Sequence, residues 1–269
     1  MSECCLQGKT ALVTGSAQGI GLAIAAALAS AGARIALHGL ADDRQVADAE
    51  ARVRQAGAPD TKFFGQDLRD PAEIEAMMDQ VADWGGADVL VNNAGIQRTA
   101  PLAEVADEAW RDILAVNLSA AFFTMRRALP PMAERGYGRV INIASVHGLV
   151  ASVDKAPYVA SKFGLVGLSR VAAIEYAPLG DARRGGVTVN CICPGWTESP
   201  IIQSQVEARS ALFDGDMSAG LLDLVREKQP SRRVSDPDEI GALALWLCQP
   251  IAHNITGAAI PIDGGWTAQ

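Results

Sequence analysis

The sequence predicts an α/β fold, a doubly wound parallel sheet of the Rossmann type forming a single domain. Three observations carry this reading. Short β-branched runs alternate with longer amphipathic stretches along the whole chain, which is the pattern of strands buried on both faces by covering helices. The first run leads directly into a glycine-rich turn, Thr14 to Gly21, that opens a helix. The 269 residues are enough for one large domain, and no proline-rich, serine-rich or charge-run linker divides them.

Taken in order, residues 10–14, 34–38, 62–65, 89–92, 139–143, 188–193 and 258–262 read as buried strands, because each is a short apolar run bounded by polar or turn residues. Between them, 19–31, 44–56, 71–84, 107–134, 156–177 and 236–247 carry apolar residues at helical spacing. Right-handed crossovers then place ligands at the carboxyl ends of the strands. Residues 197–230 break the rhythm. They form an excursion too long for an ordinary connection, starting at a strand's carboxyl end, and are expected to act as a substrate lid.

Hydrophobic content of 49% with 20% charged residues is that of a globular protein, and the longest apolar runs fall well short of a membrane span. The N-terminus lacks a basic region followed by an apolar stretch, so a cytoplasmic location is expected. A net charge of −8 and a pI near 4.9 argue against nucleic-acid or anionic-membrane partners. The five cysteines include Cys191 and Cys193 at alternate positions of one strand, which reads as core packing, while Cys4 and Cys5 sit too near the terminus to suggest a site. With three histidines and no zinc-type spacing, no metal is expected.

Gly15, Gly19 and Gly21 follow the first strand, where a tight turn and free backbone N–H groups at a helix start suit a pyrophosphate. Asn92-Asn93-Ala94-Gly95 ends the fourth strand with small residues that let a flat ligand approach. Tyr158 and Lys162, four residues apart, share one helix face, so an ammonium is expected to bring the phenol's pKa down and make it a usable base. With Ser145 upstream, this set points to a nicotinamide oxidoreductase. Around the second strand's end, His38-Gly39-Leu40-Ala41-Asp42-Asp43-Arg44 puts nothing basic in the first positions, and Gln18 occupies the glycine turn where a cation could stand. NAD is therefore favoured over NADP, with Arg44 as the one cation able to fold back.

These motifs, with Asn117 and Pro194-Gly195, fall in the order and approximate spacing of the short-chain dehydrogenase/reductase family, which the chain resembles over essentially its whole length. The resemblance implies that Tyr158 is the acid/base, that Lys162 lowers its pKa and binds the nicotinamide ribose, that Ser145 holds the substrate oxygen and that Asn117 positions a relay water. The cofactor cleft is expected to take in Gly15, Gln18, Gly19, Ile20, Gly21, Leu40, Asp67, Leu68, Asn93, Ala94, Gly95, Pro194, Gly195 and Thr197 besides Tyr158 and Lys162.

Within the family the chain is similar to the bacterial D-3-hydroxybutyrate dehydrogenases, through the segments 92–97, 143–152, 193–196, 227–231 and 263–268. That branch implies reversible oxidation of a small hydroxy acid to a keto acid, a place in ketone-body metabolism and a homotetramer built on the long helices. It also implies that Gln97, His147, Lys155 and Gln205 hold the substrate carboxylate and that Trp196 and Trp266 wall in its methyl end. A 3-oxoacyl thioester reductase, a sugar-acid dehydrogenase and a nucleotide-sensing protein without chemistry are the alternatives. An insertion around 180–185 and the sequence 207–222 depart from the branch and bear on chain-length selectivity.

Overall fold

Seven strands form one parallel sheet in a computed structural model that describes residues 5–181, 183 and 185–268. They are β1 (Thr10–Val13), β2 (Arg34–His38), β3 (Thr61–Phe64), β4 (Val89–Asn92), β5 (Tyr137–Ile143), β6 (Gly186–Pro194) and β7 (Ala259–Ile262). The order is β3-β2-β1-β4-β5-β6-β7, every pair parallel, so the chain reverses direction across the sheet between β1 and β4. Such a switch point opens a crevice at the strands' carboxyl ends.

The helices are α1 (Gly19–Ser30), α2 (Asp43–Ala56), α3 (Pro71–Asp83), α4 (Asp107–Leu114), α5 (Ala120–Arg135), α6 (Ala156–Tyr176), α7 (Gln203–Ser210), α8 (Met217–Lys228) and α9 (Pro237–Cys248). Local chemistry sets several of their starts. Asp42 with Gln45 and Asp236 with Glu239 form capping boxes, and Asp70 caps α3 ahead of Pro71. One apolar layer joins α1, α2 and α9 to one sheet face, with Leu28, Val53 and Ile240 at its centre. A second, around Met77, Leu129 and Val140, joins α3, α5 and α6 to the other. No helix among the described residues is long and apolar enough to cross a membrane.

A buried polar chain runs through the second layer: Thr124 Oγ1 donates to Asn92, Asn92 Nδ2 to Asn142, Asn142 Nδ2 to Ser169, and Cys191 Sγ to Ser169. Every link has a partner, so the chain fixes the relative position of β4, β5, β6 and α6 without leaving a buried polar group exposed to hydrocarbon. Those elements carry the ends from which Asn93, Ser145 and Tyr158 project.

Two expectations are corrected. The single helix over 107–134 is interrupted by a π-helical stretch, Ala115–Ser119, because an extra residue in the turn rotates Asn117 inward to the β4–α4 loop. The excursion over 197–230, to which the sequence pattern assigns no helix, folds into α7 and α8, whose Val206, Leu224 and Val225 pack on Trp196 and Trp266. Their polar faces are pinned together by Arg209, which reaches Asp223 and Glu227. Of the insertion, Ala182 and Arg184 lie outside the described residues, as does Cys4. Gly185 O at the insertion's end and Gly186 O at the start of β6 accept from the buried Arg139.

Candidate active site

One cleft of about 590 Å³ opens at the carboxyl ends of the strands. Every residue expected to bind cofactor or substrate lines it, from Gly15, Gln18, Gly19, Ile20, Gly21, Leu40, Asp67 and Leu68 through Asn93–Gly95 to Pro194, Gly195 and Thr197, and from Gln97 and Ser145 to Gln205 and Trp266. Asn117, expected to position a relay water, does not line the cleft. It sits behind the wall, where its side chain accepts from Ile96 N at 2.8 Å and donates to Ile96 O and Ser161 Oγ at 3.0 and 3.2 Å.

The glycine turn is dictated by contact distances. A Cβ at Gly21 would overlap Gly15 O and stand 2.5 Å from Asn93 Nδ2, and one at Gly15 would stand 2.8 Å from Ala94 Cα. Asn93 Nδ2 donates to both Thr14 O and Gly15 O, binding the β4 end to the turn. The result is a backbone cradle at a helix N-terminus that side chains would fill, and it fits a dinucleotide pyrophosphate.

At the β2 end, His38 is buried and faces the glycine turn, accepting from Gly15 N, while Leu40 is 68% exposed. Asp42 is occupied in capping α2, and Arg44 runs back along that helix toward Asp48. Four cations line the cleft: Arg69, Arg98, Lys155 and Lys162. Arg69 forks onto Asp67, whose carboxyl it holds below the usual range, and Arg69 and Arg98 share Asp112 at 4.0 and 3.8 Å. This charged rim was not legible in the sequence, since its members come from three separate loops and helices.

Ser145 leaves β5 in extended conformation, its hydroxyl accepting from His147 N at 3.1 Å, and stands beside the phenol of Tyr158. Tyr158 and Lys162 do lie on one face of α6, but the ammonium is 5.6 Å from the ring centroid and donates to Ile143 O at 2.8 Å. Burial therefore dominates: it pushes the phenol up to about 12, opposed by the Ser145 hydroxyl, and pushes Lys162 down to about 8, opposed by Cys191 and Cys193. The four-residue offset does not by itself lower the phenol's pKa.

At the other end of the cleft, Asp154 takes a left-handed conformation (φ 60°) that aspartate tolerates, with its carbonyl accepting from Ala100 N, and the turn sends Lys155 inward. Lys155 is buried with Nζ 5.0 Å from the Trp196 ring centroid; desolvation pushes it down to about 8, partly offset by Glu227. His147 stacks edge-on to Tyr158 and Trp266 and is pushed down to about 4, first by burial and then by Lys155. Its Nδ1 lies 3.3 Å from Val150 O, which only accepts, so in the neutral ring Nδ1 carries the proton and Nε2 is an acceptor. Trp196 and Trp266 stand together at 5.5 Å, and Trp196 Nε1 is buried with no partner among the described residues.

Gln229 is a further residue the sequence did not reveal. Fully buried at the end of α8, its amide accepts from Trp196 N and donates to Arg233 O, so it ties the base of the α7–α8 segment to the cleft wall. It stood in a quoted motif, 227–231, but nothing in its spacing marks a role.

The chain is 49% identical to D-beta-hydroxybutyrate dehydrogenase of Cupriavidus necator over 98% of this chain and 100% of that one. It is 42% identical to D-beta-hydroxybutyrate dehydrogenase of Rhizobium meliloti over 97% and 99%. Among solved structures, L-sorbose reductase of Gluconobacter frateurii, complexed with NADPH and L-sorbose, superposes with a TM-score of 0.90 at 30% identity over 100% of both chains. The family model described as Enoyl-(Acyl carrier protein) reductase matches residues 15–267, and with these relatives over nearly their full length the chain belongs to the short-chain dehydrogenase/reductase family.

Proposed function

We propose that this oxidoreductase converts D-3-hydroxybutyrate reversibly to acetoacetate with NAD. The observation that carries the reading is the pairing, in one cleft, of a hydroxyl and phenol at one end with a buried cation at the other, Ser145 and Tyr158 against Lys155, between which Trp196 and Trp266 form the wall. A short hydroxy acid has that polarity: an alcohol to be deprotonated, an apolar methyl and a carboxylate that compensates a buried ammonium. A neutral sugar would leave Lys155 uncompensated, which argues against a sorbose-type substrate.

In this mechanism Ser145 Oγ holds the substrate hydroxyl oxygen, and Tyr158 Oη takes the hydroxyl proton as the C–H bond opens and the carbonyl forms. Lys162 would bind the nicotinamide ribose and pass the proton toward solvent, with Asn117, held by Ile96 and Ser161 behind the cleft wall, as the residue beside which a relay water would stand. Lys155, Gln97, His147 and Gln205 hold the carboxylate, and 197–230 closes over it as a lid. The bound nicotinamide supplies the hydride acceptor and a positive charge in the cleft, which favours the phenolate against its burial. NAD is the favoured cofactor because the β2 end brings no cation but Arg44, which reaches Asp48, and the cleft cations Arg69 and Arg98 are already paired with carboxylates. Trp110, Phe122, Phe163 and Ile174 leave apolar surface exposed on α4, α5 and α6, which supports a homotetramer of this cytoplasmic enzyme, a single domain throughout.

The test is absorbance at the NADH band with NAD+ and D-3-hydroxybutyrate, beside the L-acid, NADP+ and a longer hydroxy acid. NADH from the D-acid with NAD+ alone supports the reading. Turnover of an uncharged alcohol in preference to the D-acid would refute the carboxylate assignment and leave the oxidoreductase standing.

A further inference from the structure

His38 closes a joint between two loops that the cofactor must span. The residue is 3% exposed. Nδ1 accepts from Gly15 N at 3.2 Å, and Nε2 lies 2.9 Å from Gln66 O. The first partner only donates and the second only accepts, so the two contacts together fix one neutral tautomer, with the proton on Nε2. The backbone around it is knitted just as closely: Ser16 N donates to His38 O, and His38 N donates to Ser16 Oγ. Gly15 belongs to the glycine turn, while Gln66 begins the loop 66–69, whose Asp67 and Leu68 line the other side of the cleft.

We infer that His38 is a positioning residue for the cofactor, and that its neutral Nε2–H tautomer holds the glycine turn and the 66–69 loop as one jaw, making dinucleotide affinity proton-sensitive. The inference rests on the nicotinamide reading of the cleft. A proton added at Nδ1 removes the acceptor for Gly15 N–H and sets two N–H groups against each other, so the turn must shift where the pyrophosphate would lie. The charged group facing the ring is Asp67, itself forked by Arg69, both on the 66–69 loop. The glycine turn and β1 bring no titratable side chain, Lys62 of β3 lies over the Phe64 ring, and Arg34 of β2 stands at the far end of that strand with Asp60. Desolvation outweighs the Gln66 hydrogen bond and Asp67 and holds His38 below its ordinary value, so the joint is intact at neutral pH and opens as pH falls.

The experiment is NADH binding by fluorescence titration from pH 5 to 8.5, for the full-length protein, His38→Asn and, as a control outside the cleft, the exposed His253→Gln. Asparagine offers Gly15 N–H an oxygen that does not titrate, but reaches Gln66 less well. The expected parent Kd rises about tenfold per pH unit once His38 titrates, as required for binding to the neutral form alone. The expected His38→Asn Kd is weaker by up to about tenfold at pH 8 and flat with pH, whereas His253→Gln keeps the slope. A merely structural histidine would move Tm and Kd alike at every pH; an unchanged slope in His38→Asn overturns the inference. If that variant does not fold, calorimetry of the parent in two buffers on the acid side of its own Kd slope decides it: NADH binding must release a proton there, and none released, or a parent Kd with no slope, overturns the proposal. A parent that binds neither NADH nor NADPH at any pH would sink the nicotinamide reading itself, and the inference with it.

Discussion

Replacing Lys155 by methionine separates the carboxylate reading from every other account of the cleft. Methionine keeps an unbranched apolar stem against Trp196, where the ammonium now stands 5.0 Å from the ring centroid, and removes the charge. A hydrogen bond to a charged partner contributes about 1.5–3 kcal/mol, so KM for D-3-hydroxybutyrate should rise about 10- to 150-fold, with kcat and NADH affinity little changed. The pH profile sharpens this. Burial brings the Lys155 pKa down to about 8, so in the parent the cation is present below that pH and lost above it, and KM should climb from about pH 8 upward. In the variant it should be flat over the same range. Stability should move the opposite way to affinity. The folded pKa lies below the ordinary lysine value, so the fold carries the full cost of a buried ammonium at neutral pH, and removing it should hold or raise Tm. Steady-state kinetics with the D-acid and with an uncharged secondary alcohol, plus a melting curve, read all of this. An equal KM rise for both substrates, or none for the acid, refutes the reasoning.

Tyr158→Phe should lower kcat by about 10²- to 10⁴-fold, the usual contribution of a positioned acid/base, while NADH titration stays within about threefold of the parent; retained turnover removes Tyr158 from that role. Gly21→Ala places a methyl group 2.5 Å from Asn93 Nδ2 and into Gly15 O, breaking the hydrogen bonds that join the turn to β4. Overpacking of this kind costs about 1–3 kcal/mol or more, so Tm should fall with NADH affinity, and an unchanged Kd would show that the turn does not carry the pyrophosphate. The neutral His147 has its proton on Nδ1 toward Val150 O, so to donate from Nε2 to a carboxylate it must gain a proton. Calorimetry of D-3-hydroxybutyrate binding at pH 6.5 in two buffers should therefore register proton uptake that His147→Gln abolishes; no uptake in the parent would show that the ring does not donate to the acid.

The sequence by itself determined the layered architecture, because strand and helix periods, capping residues such as Asp42, Asp70 and Asp236, and the glycine spacing are local signals carried by consecutive residues. All of the expected strands form, the helix expected over 107–134 forms with a π-helical break at Ala115–Ser119, and the expected cofactor and substrate residues line one cleft, with the expected relay residue Asn117 behind its wall. Tertiary structure decided what depends on partners far apart in the chain. That Asn117 turns behind the wall follows from a π-helical turn stabilised by Ile96 and Ser161; that 197–230 is helical follows from the apolar surface of Trp196 and Trp266 beneath it. The pairing of Arg69 and Arg98 on Asp112, the capture of Trp196 N by Gln229 and the setting of His38 between Gly15 and Gln66 are likewise long-range. Most plainly, the four-residue offset of Tyr158 and Lys162 is written in the sequence, but their pKa values are not. Burial pushes one up to about 12 and the other down to about 8, because the free energy of a charge depends on the solvent and dipoles around it, which only the folded arrangement fixes.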